Sequence, residues 1–105
     1  MGGRSEYGRS QTAPINKFPK DDSQLKHVFR DDEGHILEDT PENRKLLLDT
    51  ASDSANYKGK NEYGCKWYTK IREDGTEVWV SIRNGIVQNG GINSPPWNDW
   101  SHLEV

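Results

Sequence analysis

The sequence predicts an α+β fold, with N-terminal helices packed on a twisted antiparallel sheet. Two observations carry that expectation: a capped apolar stripe over residues 40–52 reads as a helix, and from Lys66 onward the apolar period changes to two. Helical signals come first and strand signals last, an order that fits α+β. No internal repeat interrupts it.

Residues 1–20 (MGGRSEYGRSQTAPINKFPK) mix Gly, Ser, Pro and charge without an apolar period, so a flexible lead-in is expected there. Order is expected from Asp21, with residues 21–105 forming a single domain. Ser23 is the expected cap of a short helix through Arg30, whose Leu25, Val28 and Phe29 fall at i, i+3 and i+4 on a core face. A clearer helix follows. Thr40 suits its N-cap, Pro41 its first position and Glu42 its positive end, while Leu46, Leu47, Leu48 and Ala51 supply the stripe that ends near Ser52. The stretch ASDSANYKGKNEYG is turn-rich and reads as a connection.

Trp67, Thr69 and Ile71 then alternate with Lys66, Tyr68, Lys70 and Arg72. After the turn Glu73-Asp74-Gly75-Thr76, Val78, Val80 and Ile82 alternate with Glu77, Trp79, Ser81 and Arg83. Asn84-Gly85 is a type I′ turn pair leading into Ile86-Val87-Gln88, and Gly90-Gly91 permits a bulge or bend before Ile92-Asn93-Ser94.

The 105 residues leave room for one small domain. Leu, Ile, Val and Phe number only 19, but ten aromatic residues, four of them Trp, and a net charge of −3 favour a thin, aromatic-rich core over disorder. No apolar run approaches the length of a membrane span and no basic-plus-apolar signal peptide opens the sequence, so a soluble domain without membrane contact is expected. The lone Cys65 excludes an internal disulfide and a Cys-built zinc site. Asp31, Asp32 and Glu33 are adjacent and read as a solvated run, so neither a metal nor another cofactor is expected. Charge is uneven: residues 1–20 carry +3, 21–53 carry −6, 54–91 carry +2 and the remainder −2. The strand region is thus locally basic, which permits anion binding.

Grouping the hairpin by polarity gives one face of Thr69, Ile71, Val78, Val80 and Ile82 toward the helices. The other carries Tyr68, Lys70 and Arg72 beside Trp79, Ser81 and Arg83. Rings that stack on unpaired bases, with cations for phosphate, suit single-stranded or looped RNA. The plainer reading is a solvated face on which Trp79 covers Lys and Arg stems. His27, within Lys26-His27 and near Arg30, offers groups for metal-independent proton transfer; His35 is the other candidate, and His102 lies in the terminal stretch. Each histidine has a bland alternative, at a core edge or turned to solvent.

The segments KHVFR, VWVSIRNG and NGGINSPP resemble the C-terminal toxin domains of bacterial polymorphic and contact-dependent growth-inhibition proteins, in the nuclease group related to barnase, EndoU and the tRNA-cleaving colicins. The resemblance spans about residues 24–96. It implies helices on an antiparallel sheet, metal-independent ribonuclease activity, often on tRNA, and export within a larger surface or secreted protein to act in a target cell's cytoplasm. It also implies a dedicated immunity protein, expected to be acidic. By position, the helix histidine matches His27, the strand cation Lys70 or Arg83, and the polar residue before a late proline Ser94. Lys26, Arg30, Tyr68, Arg72, Trp79 and Asn93 are the expected RNA-binding residues. The opposing reading is a non-catalytic protein-binding module, of immunity or adaptor type, with interface anchors among Trp67, Trp79, Trp97 and Trp100.

Overall fold

A computed structural model describes residues 16–97, 100, 103 and 104. The elements run α1 (Asp22–Val28), α2 (Pro41–Ser52), a 3₁₀ turn (Ser54–Asn56), β1 (Tyr57–Lys60), β2 (Lys66–Ile71), β3 (Glu77–Arg83) and β4 (Ile86–Asn93). The strands form one antiparallel meander in the order β1-β2-β3-β4, so the α+β expectation holds.

Asp21, not Ser23, caps α1: its carboxylate accepts from both the amide and the hydroxyl of Ser23, each at 2.8 Å. A carboxylate also meets the positive end of the helix, which a hydroxyl does less well. The helix stops earlier than Arg30. Phe29 turns to extended backbone and bridges Ile36, which sends both Val28 and Phe29 into the core. In α2 the expected signals operate: Thr40 Oγ1 accepts from the Asn43 amide at 3.1 Å, Pro41 opens the helix, and Leu47, Thr50 and Ala51 are buried.

Ordered structure begins before Asp21. Lys17 pairs with Ile86 on the rim of β4, and Phe18 stacks on Phe29 with ring centroids 5.7 Å apart. The rest of the expected lead-in, residues 1–15, lies outside the described residues.

The main core lies between the helices and one sheet face, where Val28, Phe29, Leu47 and Ala51 meet Val78, Val80, Ile82 and Val87. It is more aliphatic than expected. At ~1.5–3 kcal/mol for each fully buried side chain, the five that are sealed, Leu47, Val28, Val78, Val80 and Val87, carry most of this layer. The tryptophans lie elsewhere.

The register corrects the expected faces. Ile71 pairs with Glu77, Thr69 with Trp79 and Trp67 with Ser81, while Tyr68 pairs with Val80 and Lys70 with Val78. Tyr68 and Lys70 therefore share the helix-side face with the valines, and Thr69 and Ile71 share the outer face with Trp79. The five-residue connection fixes this pairing: Arg72 and Thr76 close it (Arg72 N to Thr76 O, 2.8 Å), and a one-residue slip would exchange every side chain between faces.

β1 falls within the stretch read as a turn-rich connection. Tyr57–Lys60 has little strand propensity, and pairing creates it: Gly59 opposes Trp67, and Lys60 exchanges two 2.8 Å backbone hydrogen bonds with Glu104. β4 is one continuous strand. Its irregularity falls opposite Ser81 and Ile82, not at Gly90-Gly91, because Asn89 pairs with Ser81 while Val87 pairs with Ile82. The two glycines instead admit close neighbours, Leu47 on the helix side and the Gly34-His35 backbone on the outer side.

No helix among the described residues is long and apolar enough to cross a membrane.

Candidate functional site

Alternation on β2 and β3 puts Trp67, Thr69 and Ile71 beside Glu77, Trp79 and Ser81 on the outer face. Trp67 stacks on Trp79 with centroids 5.4 Å apart and tilts against Trp100 at 5.8 Å. The segment after α1 wraps the β4 edge and lays Gly34 and His35 over Gly91, where Trp79 Nε1 donates to Gly34 O at 2.8 Å. Trp79 is consequently only 8% exposed. The expectation of an exposed stacking ring at this position is corrected: Trp79 is the floor of a second, aromatic layer.

His35 belongs to that layer. Its ring meets Trp79 edge-on at 5.4 Å, and its Nε2 lies 2.9 Å from Arg30 Nη2, which donates to it; Arg30 Nε sits 3.6 Å from Asp32. With Nε2 accepting from a guanidinium, the neutral ring carries its proton on Nδ1, which is buried with no hydrogen bond of normal geometry, near the carbonyls of Val28 and Gly90. Burial, and then the charge of Arg30, push the pKa of His35 down. This ring positions the segment; neither nitrogen is presented to a substrate.

A pH dependence follows from the sign of that shift. Above the ordinary histidine value of 6.5, folded and unfolded chains both hold His35 neutral, so its contribution is intact. As pH falls through that value, the unfolded chain takes up the proton first and stability is lost. The urea midpoint is expected to fall between pH 7.5 and 5.5, and His35→Gln to flatten the decline. Parallel curves for the two proteins would refute the assignment.

The polar centre of the outer face is Glu77, only 3% exposed although it is a carboxylate. Its Oε1 accepts from Asn93 Nδ2 at 3.1 Å and from the Trp97 amide at 2.9 Å. Glu77 also lines a cleft of about 310 Å³ with Lys58, Lys70, Ile71 and Trp97. A second cleft, about 500 Å³, is lined by Glu33, Gly34, Asn93, Ser94, Pro95 and Pro96. Trp97, 56% exposed, lines both clefts.

Of the residues the sequence singled out, the structure gathers Lys70, Asn93 and Ser94 around the two clefts, and Arg30, His35 and Trp79 in the layer beside them. The others are dispersed. His27 and Lys26 are exposed on α1, Lys26 near Asp22 and Asp39. Tyr68 faces the core beside Tyr57, at 5.5 Å, with its pKa raised by burial and then by Tyr57. Arg72 is tied into its own turn, with Nε donating to Thr76 Oγ1 at 3.0 Å. Arg83 lies six residues along β3 from Glu77, ~20 Å away at strand rise. His102 lies outside the described residues.

Glu77, Lys58 and the position of Trp97 were missed by sequence reasoning. Alternation along β3 already put Glu77 on the face of Trp79; no signal in the sequence showed that this face is covered. No protein-family model matches the chain, and no curated protein or solved structure matches it.

Proposed function

We propose that this domain binds single-stranded or looped RNA at the outer-face clefts and cleaves it without a metal ion. The observation that carries the reading is one cleft lined by Lys58, Lys70, Glu77 and Trp97, the last of them 56% exposed. An aromatic face stacks an unpaired base whatever its sequence, and ammonium groups hold the adjoining phosphates. In cleavage, the ribose 2′-oxygen attacks the neighbouring phosphorus and the 5′-oxygen of the next nucleotide leaves. The 2′-proton passes to a base, the leaving oxygen gains one, and a 2′,3′-cyclic phosphate remains. Lys58 and Lys70 offset the charge that builds on the phosphorane.

The resemblance in sequence implies the context of the proposal: a toxin exported by one bacterium into another, with tRNA as substrate and an acidic immunity protein as partner. Such a partner has a physical foothold here, since its carboxylates would compete with phosphate for the same two lysines. The second reading, a non-catalytic protein-binding module, draws on Ile71 and Trp97, both more than half exposed at one cleft.

Incubation of total RNA with the purified chain separates the two. Cleavage that persists in EDTA and leaves 2′,3′-cyclic phosphate ends is the expected result. Loss of cleavage on chelation would refute the metal-independent mechanism, and intact RNA under every condition would favour the binding module.

A further inference from the structure

We propose that residues 30–36 form an acid-released cover: neutral His35 latches this loop over Trp79, and protonation of His35 lifts it off the sheet while the helix-side core stays folded. Such a cover governs access to the outer face whatever binds there, and so goes beyond the RNA-cleavage reading.

The loop is built to move as one piece. Its base is closed by contacts that do not involve the His35 ring: Arg30 N donates to Ile36 O at 3.0 Å, and Phe29 bridges Ile36. Inside it, the Asp32 amide donates to Arg30 O and the His35 amide to Asp32 O, each at 3.0 Å. Asp31, Asp32 and Glu33 at the tip are exposed. The loop meets the sheet at Gly34 and His35. Gly34 O accepts from Trp79 Nε1 at 2.8 Å, the backbone of both residues lies against Gly91, and the His35 ring stands edge-on to Trp79. Lifting these two residues gives up that hydrogen bond and the ring contact but leaves the closure at the base in place.

His35 holds the cover in one protonation state. Arg30 Nη2 lies 2.9 Å from Nε2, and a guanidinium only donates, so Nε2 must accept. Nδ1, which is buried, already carries the proton of the neutral ring, so a second proton can go only to Nε2. There it would set N–H against N–H and two positive charges side by side.

The charged groups that face the ring come from its own loop: Arg30, which opposes the proton, and Asp32, which favours it. β3 brings Trp79 and β4 brings Gly90 and Gly91, none of them charged, while the carbonyls of Val28 and Gly90 favour the proton. Burial and Arg30 outweigh these, so the covered ring resists protonation below the ordinary value of 6.5. Once lifted, the ring lies in water and titrates at that ordinary value, so acid shifts the population toward the lifted state. Lifting uncovers Trp79, only 8% exposed beneath the loop, and removes the Glu33-Gly34 wall of the cleft of about 500 Å³.

Hydrogen exchange followed by NMR on the full chain tests the cover. The Trp79 indole N–H reports the loop and the amides of Leu47 and Val80 report the core, each compared with its own intrinsic rate at the same pH. The indole is expected to be at least ~10-fold less protected than the two core amides and to respond little to dilute urea, the mark of a local opening. Its protection should fall ~5–10-fold between pH 7.5 and 5.5, since one unit below 6.5 gives the lifted state about one decade at most. His35→Gln offers Arg30 a carbonyl oxygen that does not titrate, so protection of Trp79 should become independent of pH. In Arg30→Gln a protonated His35 faces an acceptor, and the acid response should be blunted; this variant tests the latch even where His35→Gln folds poorly. Protection of Trp79 equal to that of the core, no change with acid, a response that survives His35→Gln, or one of full size in Arg30→Gln overturns the proposal.

Discussion

Gly91→Ala is expected to destabilise the protein by at least ~3 kcal/mol, more than alanine at Gly64 or Gly75, where the surroundings are open. The new Cβ would fall on the Gly34 carbonyl oxygen and within 2.7 Å of His35 Cα. These are backbone atoms, so no rotamer change relieves the clash. Overpacking alone costs ~1–3 kcal/mol. Displacing Gly34 also breaks its bond to Trp79 Nε1, leaving a buried donor unpaired for ~1–3 kcal/mol more. The sheet cannot retreat on its other side, because neighbouring Gly90 is already closed by Leu47. Against a total stability of ~5–15 kcal/mol, this loss is large. Gly75→Ala is the control: its φ of +86° strains an alanine by ~1–2 kcal/mol, but its Cβ would meet nothing. Urea unfolding of both variants decides the matter. A Gly91→Ala midpoint no lower than that of Gly75→Ala would show that the segment over the sheet is loosely held.

Where structure depends on neighbours in sequence, the chain was readable. Thr40, Pro41 and Glu42 set the start of α2 by local chemistry, and Asn84-Gly85 forms its turn with positive φ at both residues, 54° and 75°. Where structure depends on distant parts, polarity misled. Ile71 looked like a core residue and is 55% exposed, whereas Glu77 looked solvated and is buried. The connection from Arg72 to Thr76 sets the register that turns Ile71 outward, whereas Glu77 lies on the face its alternation with Trp79 gives and is buried where Asn93 and the Trp97 amide close over it. Lys70 sits on the core side and still reaches solvent, as a long side chain at the margin of a packed face can. The site had a further obstacle. Lys58, Glu77 and Trp97 come from three segments separated by up to 39 positions, and only β1 pairing and the Trp97 amide bring them together. Gly34 covers Trp79 only because Gly91, distant in sequence, leaves space for it.

The double variant Lys58→Ala/Lys70→Ala is expected to lower kcat/KM for RNA cleavage by ~10²-fold or more while the fold persists. Both side chains are exposed, and neither takes part in a hydrogen bond or ion pair among the described residues, so circular dichroism and the thermal midpoint should change little. The loss arises twice. In the bound state two phosphate-holding charges disappear, and the logarithm of affinity should depend less steeply on the logarithm of salt concentration, by a slope of ~1.4 for a single strand. In the transition state the phosphorane loses the cations that offset its growing charge, and removal of even one such stabilising group costs ~10²–10³-fold. Lys45→Ala is the control for charge alone, since its ammonium lies against Asp49 on α2 at 2.6 Å; it should cleave at the parent rate. His27→Ala supplies the competing outcome. If that variant loses ~10²-fold while the double lysine variant cleaves normally, the chemistry belongs to the α1 surface, as a helix-borne general base would require, and the Trp97 clefts are not its site.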